Sequence, residues 1–161
     1  MSTTHFEKVT DVLESEEQQA VQALLDDSET VFWVDWREED ESIANYCEGI
    51  LQTGSLKAEL IDVDTDEGFE LHLYYNSRDI KVPLTFSPQD RHITLCSLNE
   101  VLQPDFEVRF VTASNGSDTL AFVPLPVSTW QELEEGYGDR VQKHFYRISP
   151  KPNLFTDPLP F

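Results

Sequence analysis

The segment from Asp35 to Glu41 places charged side chains around a tryptophan. It reads Asp-Trp-Arg-Glu-Glu-Asp-Glu, so five carboxylates and one arginine surround the indole. An aromatic side chain ringed by carboxylates can anchor in a partner's pocket while the acids pair with Lys and Arg. The alternative is structural, because acids in a first helical turn stabilise the helix dipole. The candidate partner-binding residues here are Asp35, Trp36, Glu38, Glu39, Asp40 and Glu41.

A second acidic segment, Asp62 to Gly68, resembles the start of a calcium loop. An EF-hand loop needs Gly at its sixth position and a bidentate Glu at its twelfth, but Glu67 and Leu73 stand there. The pattern therefore favours an acidic β-turn with no bound metal, and a second patch for the same partner. Its candidate residues are Asp62, Asp64, Asp66 and Glu67. A minor alternative is a metal-dependent hydrolase that uses these acids with His72.

Sequence signatures of catalysis are missing. There is no Gly-x-Ser-x-Gly elbow, no phosphate-binding glycine loop and no dinucleotide fingerprint. Cys47 and Cys96 match no metal or disulfide pattern, and a cysteine nucleophile would need a histidine that only the fold could place beside it. We therefore predict that the chain is not an enzyme and needs no cofactor.

Net charge narrows the choice of partner. The 161 residues contain 11 Lys and Arg against 31 Asp and Glu, a formal charge of −20. Residues 1–70 carry 20 acids and 3 bases, a net −17, so the excess lies in the first half. Such a chain repels phosphate backbones and anionic lipid, which excludes direct nucleic-acid and membrane binding and favours a basic protein partner. The alternative is an acidic surface that serves only solubility or salt adaptation.

Hydrophobic patterning predicts the elements of the first half. Apolar residues at helical spacing indicate a helix over 6–25, with a possible restart at Ser15, and a second helix over 39–51. Between them Val31 to Trp36 reads as a strand, in which Trp33 and Trp36 face opposite sides, one of them in the core. Period-two alternation then predicts an antiparallel meander with strands over 56–60, 69–76 and 80–86. Because Pro83 has no N–H to donate, the last of them is either an edge strand or carries a bulge.

The second half is predicted from caps and turns. A capping-box spacing at Ser97 opens a short helix that ends before Pro104. Strands over 106–110 and 120–123 flank the hairpin signal Asn115-Gly116, and Pro124 and Pro126 close the second strand. A last helix begins at Ser128, breaks at Gly136 or Gly138, and continues through Phe145 and Ile148.

These elements predict an α+β fold. We expect one domain over residues 1–148, with a mostly antiparallel sheet of about five to six strands and helices packed on one face. Residues 149–161 contain four prolines and form a C-terminal tail, either disordered or docked through Leu154, Phe155 and Phe161. No apolar run is long enough for a membrane span, and the N-terminus lacks the features of a signal peptide. With no disulfide framework either, these features favour the cytoplasm.

A small, strongly acidic, single-domain chain without catalytic signatures resembles the immunity proteins that bacteria make against polymorphic or contact-delivered toxins. The resemblance implies a tight complex with a cognate toxin domain, often a basic nuclease. It also implies that carboxylates fill the cationic substrate groove of that toxin. The alternative from the residues alone is an acidic adaptor or nucleic-acid mimic that binds a basic host protein.

Overall fold

The computed structural model describes residues 3–64, 66 and 68–161. The α-helices over these residues are α1 Thr3–Ser15, α2 Gln18–Leu25, α3 Asp40–Leu51, α4 Asp90–Leu102, α5 Val127–Tyr137 and α6 Asp139–His144. The strands are β1 Phe32–Asp35, β2 Lys57–Asp62, β3 Phe69–Tyr75, β4 Arg78–Lys81, β5 Phe106–Val111, β6 Thr119–Pro126 and β7 Phe145–Arg147. None of the helices described is long and apolar enough to cross a membrane.

The predicted α+β class and the antiparallel pairing are confirmed. The expectation of a single sheet was wrong, because the strands form a four-stranded sheet, β1-β6-β5-β7, and a separate three-stranded sheet, β2-β3-β4. The predicted meander is the second sheet, with Leu60 opposite Leu71 and His72 opposite Lys81. Its third strand, expected over 80–86, is β4 Arg78–Lys81, because the chain reverses directly after Tyr75, which pairs with Arg78; Pro83 therefore lies beyond the strand. Its inner face, which includes Leu73, packs over α3 and α4.

Helices cover both faces of the four-stranded sheet, which corrects the expectation of helices on one face. Along β6, Leu120 and Phe122 point into the core shared with α3 and α4, whereas Ala121 and Val123 point into the core shared with α1, α2, α5 and α6. A strand buried on both faces is apolar almost throughout, and β6 is such a strand.

Pro124 lies inside β6 rather than at its end. It stands opposite Val108 of β5. The Val108 N–H donates to Oδ1 of Asn99 at 2.7 Å, and the Val108 carbonyl accepts from Nδ2 of Asn99 at 3.0 Å. The polar groups of Val108 therefore point away from β6, and β1 extends along β6 only to Phe122. The missing N–H of Pro124 thus costs the sheet no hydrogen bond.

Helix α4 begins at Asp90, seven residues before the predicted start at Ser97. The first turns contain polar side chains that are buried, including Asp90, His92 and Thr94. Buried polar residues interrupt the apolar periodicity that signals a helix, so the pattern became visible only from Leu95 onward. The two turns that were missed carry residues that organise the candidate site.

The C-terminal end of the chain also differs from its prediction. The break falls at Gly138, but α6 ends at His144 and Phe145 begins β7, which pairs with β5. Residues 149–161 lie against the domain: Leu154 is buried, and the ring of Phe161 contacts Phe110 and Tyr146 at centroid distances of 5.9 and 5.1 Å.

Candidate protein-binding surface

Trp36 lies in the turn that follows β1 and is 42% exposed. Its N–H donates to the carbonyl of Asp118 at 3.2 Å, and the guanidinium of Arg37 lies 5.5 Å from the centre of its ring. Trp33 is exposed as well, so the expectation that one of the two indoles is in the core was wrong. Trp36 lies beyond the last residue of the strand, and Trp33 lies on a strand at the edge of the sheet.

Two of the candidate carboxylates are engaged inside the protein. Asp35 forms an ion pair with Arg37 at 3.0 Å, and hydrogen bonds from Arg37 lower the pKa of Asp35 to about 2. Asp40 forms an ion pair with Arg91 at 2.8 Å and accepts from the Thr94 hydroxyl at 3.0 Å. Burial raises the pKa of Asp40, although Arg91 opposes that shift. Both acids therefore stabilise the turn and are not free for a partner.

Arg91 of α4 fixes the turn that follows β1. It donates to the carbonyl of Trp36 at 3.3 Å and to the carbonyl of Glu38 at 2.8 Å, in addition to its ion pair with Asp40. One guanidinium thus fixes the backbone on both sides of Arg37, in the turn that carries the exposed indole. The sequence contained no signal for this contact, because Arg91 is more than 50 residues away and lies in the missed part of α4.

The three other acids of this segment, Glu38, Glu39 and Glu41, differ in how far they are exposed for contact with a partner. Glu39 is exposed, and Glu38 accepts a hydrogen bond of 2.8 Å from the hydroxyl of Tyr46, which raises the pKa of Tyr46. Glu41 is half-buried, and its burial, with the nearby Glu39 carboxylate, raises its pKa. Tyr46 is itself exposed on α3.

Trp36 also lines a cleft of about 250 Å³. Asp118 and Asp157 line it together with Trp36 and residues of the C-terminal tail. We use the name Trp36 surface for the exposed indole and the side chains on either side of it: Trp36, Glu38, Glu39, Tyr46, Asp118 and Asp157. Sequence reasoning missed the last three because they come from α3, the β5–β6 connection and the tail.

The second acidic patch belongs to the other sheet. Asp62, Asp64 and Asp66 are exposed at the connection between β2 and β3, and Glu67 lies outside the described residues. Asp62 stands opposite Phe69 and so lies on the inner face of the sheet, whereas His72 lies on the outer face. No group of three or more His, Cys, Asp or Glu residues in the described ranges is placed to hold a metal ion.

His92 and Cys96 lie together on α4, with 3.5 Å between Nε2 and Sγ. The Leu154 N–H can only donate, so Nδ1 of His92 accepts it at 3.2 Å, and Nε2–H donates to the carbonyl of Ser149 at 2.6 Å. Neither ring nitrogen is left to take the thiol proton, and burial raises the pKa of Cys96 to about 11. His92 therefore fastens the C-terminal tail, and Cys96 is not activated as a thiolate nucleophile.

The buried His92, which holds the C-terminal tail, should make the free energy of unfolding depend on pH. Burial lowers the pKa of His92 below its ordinary value of about 6.5. Below that pH the unfolded chain takes up a proton that the folded chain does not, so the free energy of unfolding falls as the pH drops from 7 to 5. Chemical denaturation across this range should show a steeper fall for the wild type than for His92→Gln. Equal slopes would contradict a neutral, buried imidazole.

The titrations of Glu16 and Asp35 lie in a different pH window. Hydrogen bonds from Lys143 and His144 lower the pKa of Glu16 to about 2, and the pKa of Asp35 is also about 2. Their stabilising contributions are present above the ordinary carboxylate pKa of about 4 and are lost only below it. These two carboxylates therefore do not contribute to the change in unfolding free energy between pH 5 and 7, where the wild type is compared with His92→Gln.

Comparison with protein-family models, with curated proteins and with solved structures found no match for this chain.

Proposed function

We propose that this chain is a non-catalytic acidic inhibitor of the immunity-protein type, which neutralises a basic, nuclease-like bacterial toxin domain by covering its active site. The observation that carries the proposal is the exposed indole of Trp36 among carboxylates on a turn that Arg91 holds in place. A binding residue that is ordered before association loses little conformational entropy on binding.

The chemistry of the Trp36 surface suits a cationic partner. Arg37 is paired with Asp35 and Arg91 with Asp40, so the nearby cations are already neutralised. Glu38 and Glu39 have no ion-pair partner among the described residues. Acids of this kind accelerate association with a basic surface, and a buried aromatic anchor slows dissociation. Arg37 over the ring of Trp36 illustrates the contact that an arginine of the partner would make.

The second candidate is an acidic adaptor or nucleic-acid mimic that binds a basic host protein. It uses the same surface and differs only in whether the partner's activity is blocked. Either protein would work in the cytoplasm, where free thiols such as Cys47 and Cys96 remain reduced.

The test is affinity capture from a lysate of the source organism with three forms of the chain. Glu38→Lys/Glu39→Lys reverses two charges on the Trp36 surface. Glu132→Lys/Glu135→Lys reverses the same number on exposed positions of α5 and serves as the matched control. We expect the wild type and the control to retain one stoichiometric basic protein, and the Glu38/Glu39 variant to retain at least about tenfold less.

The captured protein is then assayed for nuclease activity with and without the purified chain. Stoichiometric inhibition supports the inhibitor, whereas an unchanged activity favours the adaptor. Equal retention by all three forms would show that the interface lies elsewhere. Many weak partners that salt removes would show that the charge of −20 acts only as a solvated surface.

A further inference from the structure

An open groove lies where β4 leaves the three-stranded sheet. The N–H of Val82 still donates to the carbonyl of Leu71 at 2.9 Å, but the N–H of Leu84 turns back to the carbonyl of Val82 at 2.8 Å. The chain therefore departs before it reaches Phe69, and a groove of about 920 Å³ opens between the start of β3 and residues 82–86. We call it the Phe86 groove.

The departure of β4 leaves a backbone edge free. In an antiparallel ladder the N–H and C=O of one residue point to the same side, and this side alternates along the strand. Leu71 directs its carbonyl to Val82, so Phe69, two residues earlier, directs its N–H and C=O into the groove. An exposed strand edge of this kind is a template for an extended peptide.

The floor of the groove is apolar and aromatic. The rings of Phe69 and Phe86 meet edge to face with 5.3 Å between their centres, and Phe86 is 47% exposed. Val82, Pro83 and Leu84 add apolar side chains to the lining. Exposed apolar side chains grouped in this way mark binding surfaces.

The exposed ring of Phe86 is held in place by a buried carboxylate. Phe86 has φ +59°, in the left-handed region that costs a bulky residue free energy. Asp90, which is buried, accepts from the Phe86 N–H at 2.7 Å, from the Thr85 N–H at 2.9 Å and from the Thr85 hydroxyl at 2.6 Å. These bonds offset the strain and fix an aromatic side chain that faces solvent.

The rim of the groove is acidic. Asp62 and Asp64 flank the lining residue Val63, and Asp66 lies in the same connection. Lys81 is the only cationic residue that lines the groove in the described part of the chain, and it is paired with Glu70 at 2.7 Å. Four carboxylates and one lysine leave this rim a net charge of −3.

We propose that the Phe86 groove binds an extended peptide segment of a partner protein, with an apolar side chain on Phe69 and Phe86 and basic side chains beside the acidic rim. The segment would hydrogen-bond to the free edge at Phe69. Arg91 donates to the carbonyls of both Ser87 and Trp36, so the groove adjoins the Trp36 surface and one partner can contact both. The groove is nevertheless tested separately from the proposed function.

The experiment uses the full chain and a capped peptide of sequence SKTLTKS as the probe, followed by amide chemical shifts. We expect saturable shifts centred on Phe69 and residues 82–86, with a Kd below about 1 mM. The peptides SKTSTKS and SDTLTDS, which lack the apolar or the basic side chains, should bind at least about tenfold more weakly.

Variants of the chain complete the test. Phe86→Ala and, independently, Asp62→Lys/Asp64→Lys should each weaken SKTLTKS binding at least about tenfold, whereas Glu132→Lys/Glu135→Lys should not. Glu38→Lys/Glu39→Lys should leave peptide binding intact, which separates the groove from the Trp36 surface. Shifts spread over the acidic surface, equal binding of SKTSTKS, or binding that survives both groove variants would overturn the proposal.

Discussion

Replacing Arg109 with alanine is expected to lower the free energy of unfolding by about 4 kcal/mol. Arg109 is 1% exposed on β5, where it pairs with Glu107 at 3.1 Å and with Glu134 at 3.0 Å. Its guanidinium also lies 4.6 Å from the centre of the Trp130 ring. Removing it leaves the carboxylate of Glu107 buried without its closest cation, which costs far more than the pair itself contributes.

Chemical denaturation of the wild type and Arg109→Ala measures this difference, and the midpoint of thermal unfolding should fall by roughly 8–16 °C. Arg147→Ala is the matched control, because Arg147 contacts the same Glu107 at 3.3 Å but has a side chain that is 60% exposed. An exposed partner of this kind should contribute less than about 1 kcal/mol. Similar losses for the two variants would contradict the dominant role of the buried cation.

Replacing Asp90 with alanine is expected to cost about 3 kcal/mol and to release the ring of Phe86. Three donors from Thr85 and Phe86 would lose a charged acceptor. Each such bond contributes roughly 1.5–3 kcal/mol, and the contribution is smaller here because Thr85 and Phe86 are exposed to solvent. The strained backbone at Phe86 would then relax. Affinity of the Phe86 groove for the SKTLTKS peptide should fall with it.

Denaturation and amide hydrogen exchange at Thr85 and Phe86 measure the two effects. Asp90→Asn keeps one acceptor oxygen in place and should give intermediate values for both. Wild-type exchange at these amides in Asp90→Ala would show that other contacts hold the segment.

Elements with a regular pattern were predicted well. Period-two alternation predicted the three strands of the meander, although the third, expected over 80–86, is Arg78–Lys81. The hairpin signal Asn115-Gly116 predicted the pairing of β5 with β6. Both patterns are local. Successive side chains of a strand point to opposite faces of the sheet, and the Asn-Gly pair favours a tight turn by its own backbone preference. Predictions failed where tertiary contacts overrode local preference, as in the first turns of α4 and in β7.

The candidate site was predicted only in part. Trp36, Glu38 and Glu39 belong to the Trp36 surface, whereas Asp35 and Asp40 are used in ion pairs. Tyr46 and Asp118, which adjoin Glu38 and Trp36, were not predicted. A carboxylate and its cation can be far apart in the chain, so sequence spacing does not show which acids are already neutralised. The pairing of Asp40 with Arg91 is such a case.

Composition and periodicity were sufficient for the acidic character, the α+β class and most of the elements, because charge is additive and the burial of a face repeats along each element. The division into two sheets, the docking of the tail on His92 and the exposure of Trp36 and Phe86 depended on the tertiary structure. The two sheets, the docked tail and the Trp36 turn held by Arg91 are decided by contacts between residues distant in the chain. The backbone at Phe86 is instead held by a local contact with the buried Asp90. The neighbours Asp90 and Arg91 hold the Phe86 groove and the Trp36 surface side by side.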